Sequence, residues 1–376
     1  MLAVKHHYTH VTQHLKIDYL CRSINERFDK MQQDNKTLWL DNLRVIATIG
    51  VIFIHVSSDY APSSGTVSAY NFWVGNLFDS AARFSVPIFV MLSGALLLPK
   101  DYGISTFLKK RMSRLLLPFL FWSLFYIARS INYELHQGNK MGVMEIARFV
   151  FVQFRDGSSL HFWYIYMIIG LYLFVPIIGK WVRNATEKEI LYFLAIWLCT
   201  LFLDQPVISK IKPNIDLTYF TGFLGYLVLG YYLSTKSFRN AKRLNIIAIL
   251  LILVGFASTA VGTFLVLHYY NEYSSMFYEC LTPNILMLAM GIFLLQKDKD
   301  FSNRGLVAIR NYISKYSYGI FLVHVLIINL LDSYDIRWDF INPAMGIPIT
   351  VFLCLTISSV IIFIVNKLPY GKYVSG

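Results

Sequence analysis

Two residues in the first apolar stretch, Arg44 and His55, are of types and at a spacing that can do chemistry together. The stretch reads LWLDNLRVIATIGVIFIHVSS. Eleven steps of 100° make three turns and about 20°, so both side chains share a helix face, about 16 Å apart along the axis. That geometry suits a chain-like molecule with its charged end near Arg44 and its reactive end near His55. There the imidazole can act as a base or a nucleophile. Spacing alone leaves a second reading equally open, in which Arg44 snorkels to the headgroups and His55 caps the far end of the helix.

Other polar residues stand where lipid should be, and ionisable groups in such places are costly and usually functional. Asp79 and Arg83 are four apart and can neutralise each other on a helix, or serve a substrate. Ser93 and Gly94 permit close helix packing or approach of a ligand to the backbone. The stretch FLKKRMSRLLLPFLFW places Lys109, Lys110, Arg111 and Arg114 just ahead of Pro118. Such a cluster sets topology and meets anionic headgroups, and its arginines also fit phosphate. His161, Trp163 and Tyr164 open a later stretch as an aromatic belt would, or as a sugar platform. Ser317, Tyr318 and His324 lie in another, where a lone histidine is ordinarily satisfied by a neighbour.

The elements that position these groups follow from composition. The chain has 376 residues, 56% hydrophobic and only 15% charged, against about a quarter charged for soluble domains. That excludes a water-soluble globular enzyme and a disordered chain. The apolar residues arrive in blocks of about 20, the length of a membrane-crossing helix, and not in the ten-residue alternation of a β-barrel. The fold expected is an all-α membrane protein of about ten transmembrane helices in one bundle. The expected spans are 38–57, 73–98, 115–131, 161–179, 190–204, 217–234, 245–267, 278–296, 312–331 and 346–366, the fifth short enough to be tilted or re-entrant. Of the 34 Lys and Arg, 24 fall in the N-terminal tail, the even-numbered loops and the C-terminus, against 7 in the odd-numbered loops. The positive-inside rule then puts both termini in the cytoplasm. The net charge of +12 is thus a topology signal and implies no nucleic-acid partner.

Two regions are expected: a cytoplasmic tail over 1–37 and a transmembrane domain over 38–376. In the tail, Ile17, Leu20, Ile24, Phe28 and Met31 recur at helical spacing, as in an interfacial amphipathic helix. His6, His7, His10 and His14 read as an exposed tail more readily than as metal ligands. Met31 offers an alternative start to Met1. Segment 132–160 is patterned as an amphipathic helix suited to a lid over His161. Cys21, Cys199, Cys280 and Cys354 read as small hydrophobes. No metal site is expected, and GxSxG, HExxH, Walker and GxGxxG motifs are absent.

Together these segments resemble the acyltransferase-3 family, integral membrane O-acyltransferases of bacterial surface glycans, and cover about residues 38–366. The family's Arg, ten residues, His pattern falls on Arg44 and His55, and its Ser-Gly pair on Ser93-Gly94. Its basic stretch is similar to Arg111, Arg114, Pro118 and Trp122. Its aromatic and histidine segments look like His161-Phe162-Trp163-Tyr164 and Ser317 through His324. Within the family the chain looks most like the members acting on enterobacterial common antigen. Val45 stands where many members have Gly, and no fused periplasmic hydrolase-like domain is expected, so the chemistry falls to the membrane helices.

The resemblance implies a multi-pass protein of a bacterial cytoplasmic membrane. Its co-substrate would be acetyl-coenzyme A or another acyl-coenzyme A, and its acceptor a polysaccharide or lipid-linked glycan hydroxyl. His55 and Arg44 would be catalytic, with His55 a general base or an acyl relay. The donor would be held by Arg44, Arg83, Lys110, Arg111, Arg114 and Ser93, the acceptor by His161, Trp163, Tyr164, Asp79 and His324. A glycan flippase or transporter, or a structural partner in a polysaccharide assembly complex, would carry the same polar residues without reacting.

Overall fold

A computed structural model of the chain describes residues 38–60, 68–206, 208, 222–270, 273–299 and 303–376. The tail 1–37, with its expected helix, its histidines and Cys21, lies outside them. Among the described residues the chain is helical, without a strand. Helices α1 (Leu38–Ser57), α2 (Ala69–Ala82), α3 (Ser85–Leu97), α4 (Ile104–His136), α5 (Val143–Asp156) and α6 (Trp163–Asn184) form the first half. They are followed by α7 (Glu187–Leu203), α8 (Leu224–Thr235), α9 (Ala241–Tyr270), α10 (Pro283–Gln296), α11 (Arg304–Asp332) and α12 (Pro343–Lys367).

Eight helical segments are long and apolar enough to cross a membrane, among them α2 and α3 taken together as Ala69–Leu97. The fifth expected span falls on α7, of 17 residues, and the described part of the sixth on α8, of 12, with 217–221 lying outside the described residues. At 1.5 Å per residue α7 reaches about 26 Å, short of a hydrocarbon layer about 30 Å thick. The α2–α3 break has a local cause. Pro87 has no N–H for the carbonyl of Arg83 and its ring crowds that carbonyl, so α2 stops at Ala82 and α3 restarts at Ser85. Conversely α4 is longer than expected, at 33 residues or about 50 Å. Its basic first turns therefore project beyond an apolar layer of about 30 Å.

Helix α3 packs on α8, α9 on α10, and α11 on α12. The α3–α8 seam depends on glycine: a Cβ on Gly94 would lie 1.8 Å from the Leu227 carbonyl oxygen, and one on Gly230 2.1 Å from that of Met91. Small residues bring helix backbones this close where lipid supplies no hydrophobic drive between helices. The outward faces of α4, α9 and α12 expose Leu117, Leu124, Ile249, Leu253, Phe352 and Ile364, as a lipid environment requires. Inside, the buried side chains form two large clusters, one around α3, α6, α8 and α10 and one around α4, α11 and α12. Phe89, Leu115 and Tyr164 pack against both. The site lies at that junction.

Candidate active site

A cavity of about 340 Å³ opens at the junction, with Arg44, Lys100, Arg111 and Arg114 among its walls. Four cations among the walls of one cavity can hold an anion, and arginine's fork matches phosphate oxygens. The remaining walls are apolar, aromatic or hydroxylic: Leu92, Leu96 and Leu97 on α3, Tyr164 and Tyr172 on α6, Ser317, Tyr318 and Phe321 on α11, with Ser93 beside them. The Tyr318 hydroxyl donates to the Leu115 carbonyl at 2.7 Å, tying α11 to α4 across this space.

Arg44 does not snorkel to open water. Its guanidinium pairs with Asp41 and donates to Ser314 Oγ at 2.8 Å, while that hydroxyl donates to the same Asp41 oxygen at 2.7 Å. This closed triangle, partly exposed, holds the cation against the cavity wall. The i, i+3 relation on α1 brings Asp41 beside it.

From Arg44 upward, α1 presents Thr48, then Val51 and Ile52, then His55: successive turns of one face. Thr48, Val51, Ile52, Phe89, Ile320, Phe321 and His324 enclose a narrow crevice without a space wide enough for a water molecule. Phe89 and Phe321 wall both the crevice and the larger cavity.

Beyond the crevice three imidazoles meet. His55 of α1, His161 of the 3-10 turn Leu160–Phe162 and His324 of α11 have ring centroids 5.9, 5.1 and 4.8 Å apart for the pairs 55–161, 55–324 and 161–324. His324 is fully buried and His161 2% exposed. The His324 Nδ1 lies 2.7 Å from the Phe321 carbonyl, which can only accept, so Nδ1 carries the proton. Its Nε2 therefore bears a lone pair, and that atom is buried without a hydrogen-bond partner. His161 Nδ1 lies 3.0 Å from Ser159 Oγ, and its Nε2 is likewise buried and unpartnered. Buried polar atoms are rarely left orphaned, and these two lie in one cluster. Tyr126, Phe162 and Phe321 close around the rings. Among the described residues no group of His, Cys, Asp or Glu is arranged to hold a metal ion.

Among known proteins, a family model described as an acyltransferase domain matches residues 37–365. The chain belongs to the acyltransferase-3 family. It is accordingly a multi-pass membrane protein with acyltransferase chemistry. Comparison with curated proteins and with solved structures finds no match.

In this acyltransferase-3 chain the cavity walls unite Arg44, Ser93, Arg111, Arg114 and Tyr164, and the imidazole cluster unites His55, His161 and His324. Four of the residues read as site residues are neither walls of the cavity nor members of the imidazole cluster. Lys110 is exposed and is not a wall of the cavity. Arg83, expected beside the donor, pairs instead with the fully buried Asp79 at 2.5 Å and lies over the Tyr278 ring, 4.2 Å from its centroid. Tyr278 in turn bonds Tyr60 and Asn76, so Asp79 and Arg83 belong to a buried polar network of α2, α9 and the Tyr278 turn. Trp163 is 44% exposed and faces Phe223, as an interfacial anchor does. The amphipathic helix expected in 132–160 forms as α5, packs on α4 and buries no side chain.

Lys100, Asp41, Ser314 and Phe321 are not evident as site residues from the sequence. Lys100 stands nine residues before the KKR run and joins the arginines only because the turn at 98–103 folds back. Asp41, three residues before Arg44, carried a signal in its helical spacing.

Proposed function

We propose that this protein transfers an acyl group, acetyl in the first instance, from cytoplasmic acyl-coenzyme A to a hydroxyl of a surface polysaccharide or lipid-linked glycan, in a bacterial cytoplasmic membrane. One observation carries the reading: a four-cation cavity mouth lies in line, on the shared face of α1 and along α11, with a three-imidazole cluster holding two orphaned nitrogens. Coenzyme A has the matching shape, phosphates at one end and a thioester at the end of a flexible arm.

In this reading Arg44, Lys100, Arg111 and Arg114 bind the phosphates, and the arm lies along Leu92, Ser93 and Tyr318. His55 takes the proton of the acceptor hydroxyl. The oxygen attacks the thioester carbonyl carbon, the carbon–sulfur bond breaks, and the departing thiolate takes the proton back from the imidazolium. An ester and free coenzyme A result. His324 orients the acceptor by accepting from one of its hydroxyls at Nε2, His161 donates to the acyl carbonyl in the tautomer that carries its proton on Nε2 while Ser159 donates to Nδ1, and Tyr164 lines the route. In the relay form, a His55 nitrogen attacks the thioester carbon and expels the coenzyme A thiolate to give an acyl-imidazole; the acceptor hydroxyl oxygen then takes the acyl group, releasing the imidazole, and its proton goes to the thiolate.

The test has two arms. Purified protein should be stabilised against heat by acetyl-coenzyme A at millimolar concentration, which a flippase or transporter of glycan would not need. Glycans from cells carrying the protein should show an acetyl mass increment per repeat that deletion removes and His55→Ala fails to restore. Absence of stabilisation, together with glycan ester that deletion leaves unchanged, would end the proposal.

A further inference from the structure

The narrow crevice between the donor cavity and the imidazoles takes no part in phosphate binding or proton transfer, yet its position, lining and size all point to one ligand part. On α1 it takes in Thr48, one turn above Arg44, and Val51 and Ile52, one turn below His55. On α11 it occupies Ile320 and His324, above the Ser314 that bonds Arg44. A donor anchored at the cations therefore brings its thioester end here. The lining is alkyl and aromatic apart from Thr48 and His324. The Thr48 hydroxyl already donates to the Arg44 carbonyl at 2.8 Å, leaving little to offer a polar guest. An alkyl group without hydrogen-bonding needs fits such walls. Val51, Ile52 and Ile320 are 5, 1 and 0% exposed, so they are packed from behind and cannot retreat. Entry of a methyl group displaces the Phe89 and Phe321 rings, which also border the open space of the larger cavity, whereas each further methylene must displace those three aliphatic side chains.

We propose that this crevice is the acyl pocket, and that Val51, Ile52 and Ile320 restrict the donor to a two-carbon acyl group. The proposal rests on the acyl-transfer reading above and adds the residues that measure the chain. One methylene in such a pocket discriminates by about 10–200-fold in kcat/KM.

The experiment supplies acetyl-, propionyl- and butyryl-coenzyme A to membranes of a deletion strain complemented with each variant, and counts the glycan esters by mass spectrometry. Wild-type protein should favour acetyl over butyryl by at least two orders of magnitude. Ile320→Ala and Val51→Ala should cut that ratio at least tenfold, by raising butyryl transfer while lowering acetyl transfer. Leu92→Ala, in the wall of the donor cavity but outside the crevice, should leave the ratio unmoved. Ile320→Val replaces Ile320→Ala if the larger truncation fails to fold in a thermal melt, and should raise propionyl transfer alone. Ester formation with a ratio that neither variant moves overturns the acyl pocket and spares the acyl-transfer reading. No ester from any donor, together with no heat stabilisation by coenzyme A, overturns both.

Discussion

Removing Arg111 and Arg114 together should weaken the donor and leave the chemistry untouched. Both line the cavity mouth; Arg111 is half-buried and Arg114 exposed. An exposed charge 4 Å from a phosphate interacts at about 1 kcal/mol, in the water limit. The half-buried one sits between that and the roughly 4 kcal/mol of a protein surface, so about 1–2 kcal/mol is reasonable. Together, about 2–3 kcal/mol corresponds to a rise of about 30–150-fold in the KM for acetyl-coenzyme A. The kcat at saturation should stay within a factor of about two or three, because neither guanidinium reaches the imidazoles. Two controls make the reasoning strict. S-acetylpantetheine, a thioester without the nucleotide phosphates, should serve wild type and double variant equally well. Raising salt from 0.1 to 1 M, which shortens the screening length from about 10 to 3 Å, should shrink the difference. Equal loss with the phosphate-free thioester, or a fall in kcat at unchanged KM, would refute a phosphate site at this mouth.

The remaining predictions concern the reacting end and the scaffold. His55→Ala should lower the rate by about 10²–10⁴-fold, the usual worth of a general base, while acetyl-coenzyme A still stabilises the protein against heat; retained turnover would remove His55 from the mechanism. Asp79→Asn strips the partner from Arg83 inside the bundle and should cost about 3–5 kcal/mol, seen as a lower melting temperature. The double variant Asp79→Leu/Arg83→Leu should recover most of it, and no recovery would mean that the pair does more than neutralise itself. Gly94→Val should abolish assembly of α3 on α8, since its first carbon already meets the Leu227 carbonyl at 1.8 Å; a folded monodisperse variant in gel filtration would contradict the close packing.

Legibility in the sequence was uneven for physical reasons. Apolar block length sufficed for the long helices, because a membrane allows few alternatives to a helix of about 20 residues. In α8 the apolar residues bury against other helices instead of lipid: Leu227 and Val228 are fully buried at the α3 seam. The face shared by Arg44 and His55 was readable because helix periodicity is local. That His161 and His324 complete the cluster depends on how α1, α6 and α11 pack, which periodicity does not encode. Arg83 shows the converse: its charge suggested a phosphate ligand, but it pairs with Asp79 one turn back and lies over the Tyr278 ring.

The central claim is that a donor held at the basic mouth on the cytoplasmic side delivers its acyl group through the bundle to an acceptor on the other side. Sealed vesicles of both orientations, prepared from cells making the glycan and given acetyl-coenzyme A labelled in the acetyl group, test it most directly. Label should enter glycan ester only in inside-out vesicles, whose cytoplasmic face meets the donor, and not in right-side-out ones. Labelling of right-side-out vesicles while they remain sealed, or of neither kind, would contradict a path from Arg44 to His55.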